Sequence, residues 1–405
     1  MIRLGLFLYD FLAQSSRLAS TRTVDLGQDP MGAPLKEDIH RGFVYSDFWV
    51  DDSRLVIANI LAAAEAGAHI LTRTRLEQAE RNSGLWQARL MDHRTGEETV
   101  CRARAIVNAT GPWAEAVRNG KLGSGTAKNH IRLVKGSHLV VPRLYGSEHA
   151  YILQNPDGRV VFVLPFQGDY SMLGTTETVF DGDPAEVCMD PDEARYICDA
   201  VNGYWTHPVS PGDAVWSFAG VRPLFNDNAD DPSAMSREYV LDLQDERGEA
   251  PLLSVFGGKL TTYRRLAEQV LAKLKPFFPA MRNAWTATEP LPGGDMKGGD
   301  VGQFCSGLSD EYPDLDQPWL RDLTQHHGTR TREILGTIDT PDGLFRDFGS
   351  GLFQREIDYL IDREWAEKAD DVLWRRTKCG LAMTSDERQA VADYMASAQP
   401  AKRSG

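Results

Sequence analysis

The stretch PLLSVFGGKLTTYRRLAEQVLAKLKP, residues 251–276, constrains the fold of this chain more than any other. An apolar run of strand length ends in Gly257-Gly258, and apolar residues at helical spacing then continue to Pro276, which cannot extend a helix. Strand, glycine turn and helix in that order point to an α/β layer. Two glycines let the backbone come up against a flat ligand, and the helix opening at Thr261 and Thr262 offers free N–H groups to developing negative charge. Alone, the same residues also read as a capped helix behind a tight turn.

A second stretch, IVNATGPW at residues 106–113, strengthens the ligand reading. The strand Ile106-Val107 runs into Asn108-Ala109-Thr110-Gly111 and is stopped by Pro112, the pattern of a strand delivering a tight turn to a dinucleotide. The usual companion, a strand followed by G-x-G-x-x-G and a helix, is not found in the sequence.

With 405 residues the chain is expected to hold two or three domains, and no apolar run reaches the length of about 18 to 20 residues that a membrane helix needs. Any membrane contact is therefore expected to be peripheral. A net charge of −14 argues against nucleic acid as a partner, because neutralising phosphates takes a basic surface. Five scattered cysteines without a C-x-x-C read as plain buried thiols in a reducing compartment. At the start, Leu4, Phe7, Leu8 and Phe11 share a helical face, so the opening reads as domain interior and not as a signal peptide.

Along the chain, Asp51-Asp52-Ser53 is placed to cap a helix carrying Leu55, Ile57, Ile60, Leu61 and Ala64, with Gly67 to end it. His69 to Arg75 reads as a strand, Leu85–Met91 and Thr99–Arg102 as a hairpin, and residues 105–109 as the strand into the opening turn. From Asn129 the texture turns to β, with a turn at Asn155-Pro156-Asp157-Gly158, followed by a helix near Pro191 to Tyr204. Residues 287–300, rich in Pro and Gly, read as a linker, and the segment beyond them is mostly helical in pattern, with Phe353, Ile357, Leu360 and Ile361 on one face.

Other residues carry chemistry. Arg222 in GVRP sits between Gly220-Val221 and a proline, where a stiff backbone would aim its guanidinium at a carboxylate or phosphate, although an isolated arginine also serves as a surface ion pair. KGSH, residues 135–138, offers His138 as a proton acceptor or as a structural histidine. LGTTE, residues 173–177, reads as a strand end and turn whose hydroxyls can face a pocket. The segment 262–282 carries Arg264, Arg265, Lys273, Lys275 and Arg282 against Glu268, with Phe277 and Phe278 beyond the apolar stripe Leu266, Val270 and Leu274. It suits either a solvated basic face or an anionic membrane surface. WRRTK, residues 374–378, reads as a recognition surface or a basic helix.

Assembled, the chain resembles the bacterial FAD-dependent, quinone-reducing glycerol-3-phosphate dehydrogenases, through YSDFWVDDSRLV, LTRTR, VNATGPW, RLVKGSHLVVPR, YILQNPDGRVVFVLPF, GVRPL, PLLSVFGGKLTTYRRLAE and ADDVLWRRTKCG. The resemblance implies an α/β (α+β) chain with a flavin domain of the glutathione-reductase type, an inserted antiparallel β-sheet substrate domain and a helical C-terminal cap. The expected boundaries are 1–128 for the flavin domain, 129–250 for the substrate domain, 251–286 for the returning strand and helix, 287–300 for the linker and 301–405 for the cap. It implies that the family's first strand-GxGxxG-helix unit lies upstream of Met1, so that the flavin domain is N-terminally incomplete. Where the family pattern has Asp, this chain has Glu177.

The implied reaction is oxidation of sn-glycerol 3-phosphate to dihydroxyacetone phosphate by FAD, with ubiquinone as electron acceptor. Arg222 is expected to clamp the phosphate, Lys259 to lie near substrate and flavin edge, and His138 to be the candidate base. Gly257, Gly258, Lys259, Leu260 and Thr261 are expected at the flavin ring, Ala109, Thr110 and Gly111 near the FAD phosphates, and Thr74 and Arg75 at the adenosine end. No metal is expected. The implied location is cytoplasmic, bound peripherally to the inner face of the membrane through the basic helix 262–282, with a homodimer as the implied oligomer. An oxidase passing electrons to oxygen, and a chain that binds no flavin, stand as alternatives.

Overall fold

The structure, a computed structural model, describes residues 5–6, 10–11, 19–123, 131–225, 238–245, 249–338 and 340–402. Leu4, Phe7 and Leu8 of the expected N-terminal helical face lie outside the described residues. Two compact units emerge: residues 1–49, 76–91 and 98–279 form the first, and residues 50–75, 92–97 and 280–405 the second.

In the first unit, β1 (Arg22–Asp25) and β2 (Arg41–Val44) pair antiparallel, and β3 (Thr74–Asn82), β4 (Leu85–Asp92) and β5 (Glu98–Ala103) form a meander. The expected strand from His69 to Arg75 is instead irregular up to a turn at Thr72-Arg73, with β3 starting at Thr74; Arg73 there has φ 56°, which breaks an extended run. β6 (Ile106–Asn108) runs parallel to β14 (Leu252–Phe256), with Ile106 opposite Leu252 and Asn108 opposite Ser254. β13 (Val240–Gln244) flanks β14 antiparallel, which places it with this sheet and not with the β domain expected to run to residue 250. Every residue of β14 is buried, the mark of a central strand covered on both faces. Trp86, 1% exposed, donates its indole N–H to Pro251 O at 3.1 Å and so ties the meander to the start of β14.

Inserted between β6 and β13 is an antiparallel sheet of six strands built on the long β7 (Ile131–Pro142). β8 (Tyr151–Gln154), β9 (Val160–Phe166) and β10 (Tyr170–Gly174) extend from one edge of β7, beside β11 (Thr178–Val179), and β12 (Trp216–Phe225) pairs along the other edge. The expected turn closes β8 to β9, with Gly158 N donating to Asn155 O at 3.0 Å and Gly158 at φ 84°. Because side chains alternate along a strand, Lys135, Ser137, Leu139 and Val141 share one face of β7 while Gly136 and His138 share the other. Leu139 and Val141 pack with Ile197, Cys198 and Val201 from the helix Pro191–Asn202. Each such fully buried aliphatic side chain stabilises the layer by about 1.5–3 kcal/mol. That helix begins at a capping box, Asp190 to Glu193, with Pro191 in its first turn.

The second unit contains the helix Asp52–Glu65 and packs the helices Val301–Glu311, Gln317–His327, Thr331–Leu335, Gln354–Arg363 and Ser385–Lys402 around a core that includes Leu308, Leu335, Ile357, Leu360 and Val391. Asp51 caps the first of these helices as expected, accepting from Arg54 N at 3.1 Å. Residues 287–300 are not a free linker: Gly293 is buried, and its carbonyl accepts from Thr329 N at 3.0 Å. WRRTK is not a simple basic helix with a solvated face, for Lys378 pairs with Asp51 at 2.5 Å and Arg376 donates to Glu364 O at 2.7 Å, while Arg375 stays exposed. The family-like blocks around Asp51 and Lys378 thus clasp each other. Beside them Arg54 grips buried Glu364 with two nitrogens at 2.5 and 2.8 Å, and His327 meets Glu356 at 2.8 Å. Of the cysteines expected to be buried, Cys198 is; Cys305 and Cys379 are half-buried, and Cys101 and Cys188 are exposed.

Candidate active site

The carboxyl ends of the parallel strands β6 and β14 lie side by side, the place where open α/β sheets receive ligands. After β6, buried Asn108 pins the turn: its amide donates to Ala114 O at 2.8 Å and its carbonyl accepts from Thr110 Oγ1 at 2.7 Å. Ala109 and Thr110 are exposed, and Gly111 has φ 57° with open space where a side chain would project. After β14 come Gly257 at φ 77° and Gly258 at φ 117°, conformations that disfavour any side chain. A Cβ on Gly257 would also lie 2.9 Å from Glu238 O. Lys259, Leu260 and Thr261 are exposed, and Leu260–Thr262 form a 3-10 turn, so the helix begins at Tyr263, slightly later than the sequence suggests. Two bare backbone turns at adjacent parallel strand ends fit a flat cofactor approaching edge-on.

The β domain meets this turn through β12. Pro223 O lies 3.6 Å from the position a Gly257 Cβ would take, so the residue after Arg222 borders the Gly-Gly turn. On the sheet face that bears His138, the register sets Phe218 opposite His138, Gly220 opposite Gly136 and Arg222 opposite Val134. The paired glycines make a trough of backbone, open at Gly220 and covered at buried Gly136 by Thr175 and Arg222. The Arg222 guanidinium leans over Gly136, with Nη2 at 2.8 Å from the point a Cβ would occupy, and donates to Thr175 Oγ1 at 3.2 Å. Glu177 stands 4.0 Å from Arg222 Nη1. His138 stacks on Phe218, centroids 4.9 Å apart at 12°, and lies so close against Gly174 that a Cβ there would run into the ring. Gly220, by contrast, is exposed, with nothing within 4 Å of its missing side chain. One same-face step separates His138 from Gly136, about 6.5–7 Å of strand.

Behind the trough, on the opposite face of β7, Lys135 Nζ contacts Glu193 at 2.8 Å and Asp190 at 3.1 Å. Burial pulls the Lys135 ammonium down, but its hydrogen bonds to Glu193 and Asp190 outweigh that, and its pKa is raised. Lys135 is therefore a fixed cation in the layer behind the site.

Of the residues singled out in the sequence, Arg222 and His138 come together on one sheet face, and Ala109 to Gly111 and Gly257 to Thr261 gather at adjoining strand ends. Thr74 and Arg75 fall in the second unit, at the first two positions of β3. Sequence reasoning missed Asn108, Gly136, Gly174 and Gly220. Their signal was present in VNATG, KGSH, LGTT and AGVRP, but a glycine's partner across a sheet is fixed only by register.

Residues 8–264 match the family described as FAD dependent oxidoreductase, and residues 284–401 match the C-terminal domain of alpha-glycerophosphate oxidase. The chain belongs to the FAD-dependent oxidoreductases. Within them it is a close match to the bacterial aerobic glycerol-3-phosphate dehydrogenases. It is 42% identical to the aerobic glycerol-3-phosphate dehydrogenase of Escherichia coli (strain K12), over 98% of this chain and 78% of that one. Identity is 44% with the glycerol-3-phosphate dehydrogenase of Pseudomonas aeruginosa, over 99% and 77% of the two chains. It is also 44% with the D-erythritol 1-phosphate dehydrogenase of Brucella abortus (strain 2308), over 97% and 78%. The fold is shared with the glycerol-3-phosphate dehydrogenase of Bacillus halodurans, solved with FAD, at a TM-score of 0.73 and 22% identity, covering 93% of this chain and 81% of that one. No helix among the described residues is long and apolar enough to cross a membrane.

Proposed function

We propose that the protein oxidises sn-glycerol 3-phosphate to dihydroxyacetone phosphate, with FAD as cofactor and a membrane quinone as final electron acceptor. The observation that carries this reading is the glycine trough between His138 and Arg222, bordered through Pro223 by the Gly-Gly turn of an FAD-dependent fold. Arg222 supplies a planar, permanently charged donor pair that matches a phosphate monoester. His138 takes the proton of the secondary hydroxyl as the carbonyl forms. The chemistry that bound FAD supplies is acceptance of the hydride from the carbinol carbon. Ala109, Thr110, Gly111, Gly257, Gly258, Leu260 and Thr261 offer it backbone, and Lys259 adds a cation on the same turn.

Steady-state turnover tests the reading. Dihydroxyacetone phosphate should form from glycerol 3-phosphate with a soluble quinone and little peroxide; peroxide formation at the same rate without quinone would favour the oxidase reading suggested by the C-terminal match. No turnover of any polyol monophosphate would remove the proposal.

Gly220 sets a second expectation. Its missing Cβ points into open space on the site face, so Gly220→Ala should leave the melting temperature unchanged while filling the trough. Activity on D-erythritol 1-phosphate should fall more than activity on glycerol 3-phosphate, and equal losses on both would place the carbon chain elsewhere.

The membrane contact is proposed at the basic segment 262–282, which is helical from Tyr263 to Leu274. Val270 and Leu274 are buried in the core, while Arg265, Lys273 and Lys275 are exposed beside Leu271, 48% exposed. Phe277 and Phe278 add little to such a contact, since both are half-buried and Arg104 lies over the Phe278 ring at 4.5 Å. Anionic vesicles should retain the protein at low salt and release it at high salt. Retention by neutral vesicles alone would contradict an electrostatic contact.

A further inference from the structure

We infer that Glu193 is a positioning residue for the Arg222 clamp, acting through the segment Gly174–Glu177 from the far side of the β sheet. The inference rests on the reading of Arg222 as the group that grips the substrate phosphate. Glu193 sits on the helix Pro191–Asn202, is 7% exposed, and spends both carboxylate oxygens on the strand layer. Oε1 accepts from Thr176 Oγ1 at 2.9 Å; Oε2 accepts from Ser137 Oγ at 3.0 Å and from Asp190 N at 3.1 Å and contacts Lys135 Nζ at 2.8 Å. Thr176, 1% exposed, accepts in turn from Ser137 N at 3.1 Å, so its hydroxyl is held between β7 and the helix.

The two residues flanking Thr176 touch Arg222. Thr175 Oγ1 accepts from Arg222 Nη2, and the Glu177 carboxylate stands 4.0 Å from Nη1. The contacts give the arrangement its logic: Thr176 turns inward to Glu193, while Thr175 and Glu177 on either side of it turn to the guanidinium. A helix cap would need Glu193 only for its bond to Asp190 N. The hydroxyls of Ser137 and Thr176 and the cation of Lys135 give that carboxylate a second task, to fix the height and tilt of a short segment that carries two partners of Arg222. Displacement of a clamp by a fraction of an ångström weakens a bidentate hydrogen bond directly, since its strength falls steeply with angle.

The test is a double-mutant cycle between Glu193→Gln and Arg222→Ala, read by calorimetric binding of glycerol 3-phosphate and by kcat and KM. Glu193→Gln should weaken binding about 10-fold, raising KM more than it lowers kcat, and Glu193→Asp should recover less than the native affinity because its carboxylate is one carbon short. In the Arg222→Ala background the same substitution should change binding less than twofold. An equal loss in both backgrounds would overturn the inference, for Glu193 would then act on the fold and not through Arg222. Should Glu193→Gln fail to fold, Thr176→Val, which keeps the side-chain shape and removes the pinned hydroxyl, should give the same coupling, and its absence would equally overturn the inference. If Arg222→Ala by itself leaves binding unchanged, the clamp reading fails, an outcome distinct from lost coupling, and the inference falls with it.

Discussion

Replacing Arg222 by alanine is expected to lower kcat/KM for glycerol 3-phosphate by about 10²- to 10³-fold, corresponding to about 3–4 kcal/mol of lost interaction with a charged oxyanion. The size reflects the surroundings. The guanidinium is half-buried over Gly136 and held by Thr175 Oγ1, so its loss leaves the phosphate facing neutral backbone and the Glu177 carboxylate, which would then repel it. Arg222→Lys should recover only part of the loss, because a single ammonium cannot supply two parallel donors. Steady-state kinetics of both variants, with circular dichroism to show native folding, check this; wild-type kcat and KM in Arg222→Ala would remove the residue from the site.

The second large effect is expected in the helical unit. Glu364 is fully buried, bound by two nitrogens of Arg54 and within 3.7 Å of His327. Glu364→Ala should destabilise this unit by about 3–5 kcal/mol, since it strands the Arg54 charge in the interior, and the double variant Arg54→Met, Glu364→Leu should recover part of that. Calorimetric melting measures both, and a loss under about 1 kcal/mol for the single variant would mean that the unit relaxes around the charge.

The same cluster gives a pH dependence with a definite sign. Burial pushes the Glu364 carboxyl up, yet His327 and Arg54 hold it down at about 2, below its ordinary 4.5. Its contribution is therefore present above about pH 4.5 and lost as pH falls towards 2. Burial lowers the His327 pKa, but hydrogen bonds to Glu356 and Glu364 raise it above the ordinary 6.5. That contribution is full below pH 6.5 and is lost as pH rises through the raised value. The unit should accordingly be most stable between these limbs.

Much of this architecture is legible in local patterns. Gly257-Gly258 reads as a turn because glycine readily takes the positive φ that both adopt, and Asp51 and Gly158 mark a helix start and a hairpin by their own hydrogen bonds. What resists reading is pairing across distance. Nothing in AGVRP says that Gly220 faces Gly136, and the difference between a buried clasp and a basic surface at Lys378 depends on Asp51, 327 positions away. The strand expected at residues 69–75 shows the converse error, since β-rich composition there is overruled by a left-handed residue at Arg73. Residues 287–300 look like a linker because glycine and proline dominate, yet Gly293 is chosen for close approach to the turn after His327, where a Cβ would meet His327 O at 2.6 Å.

The most direct test of the proposed function is the visible absorption spectrum of the purified protein after incubation with FAD and gel filtration, recorded anaerobically before and after adding glycerol 3-phosphate. The expected result is a retained flavin band that bleaches with the native protein and persists with Arg222→Ala at the same substrate concentration. A colourless protein, or a bound flavin that glycerol 3-phosphate leaves oxidised, would contradict it.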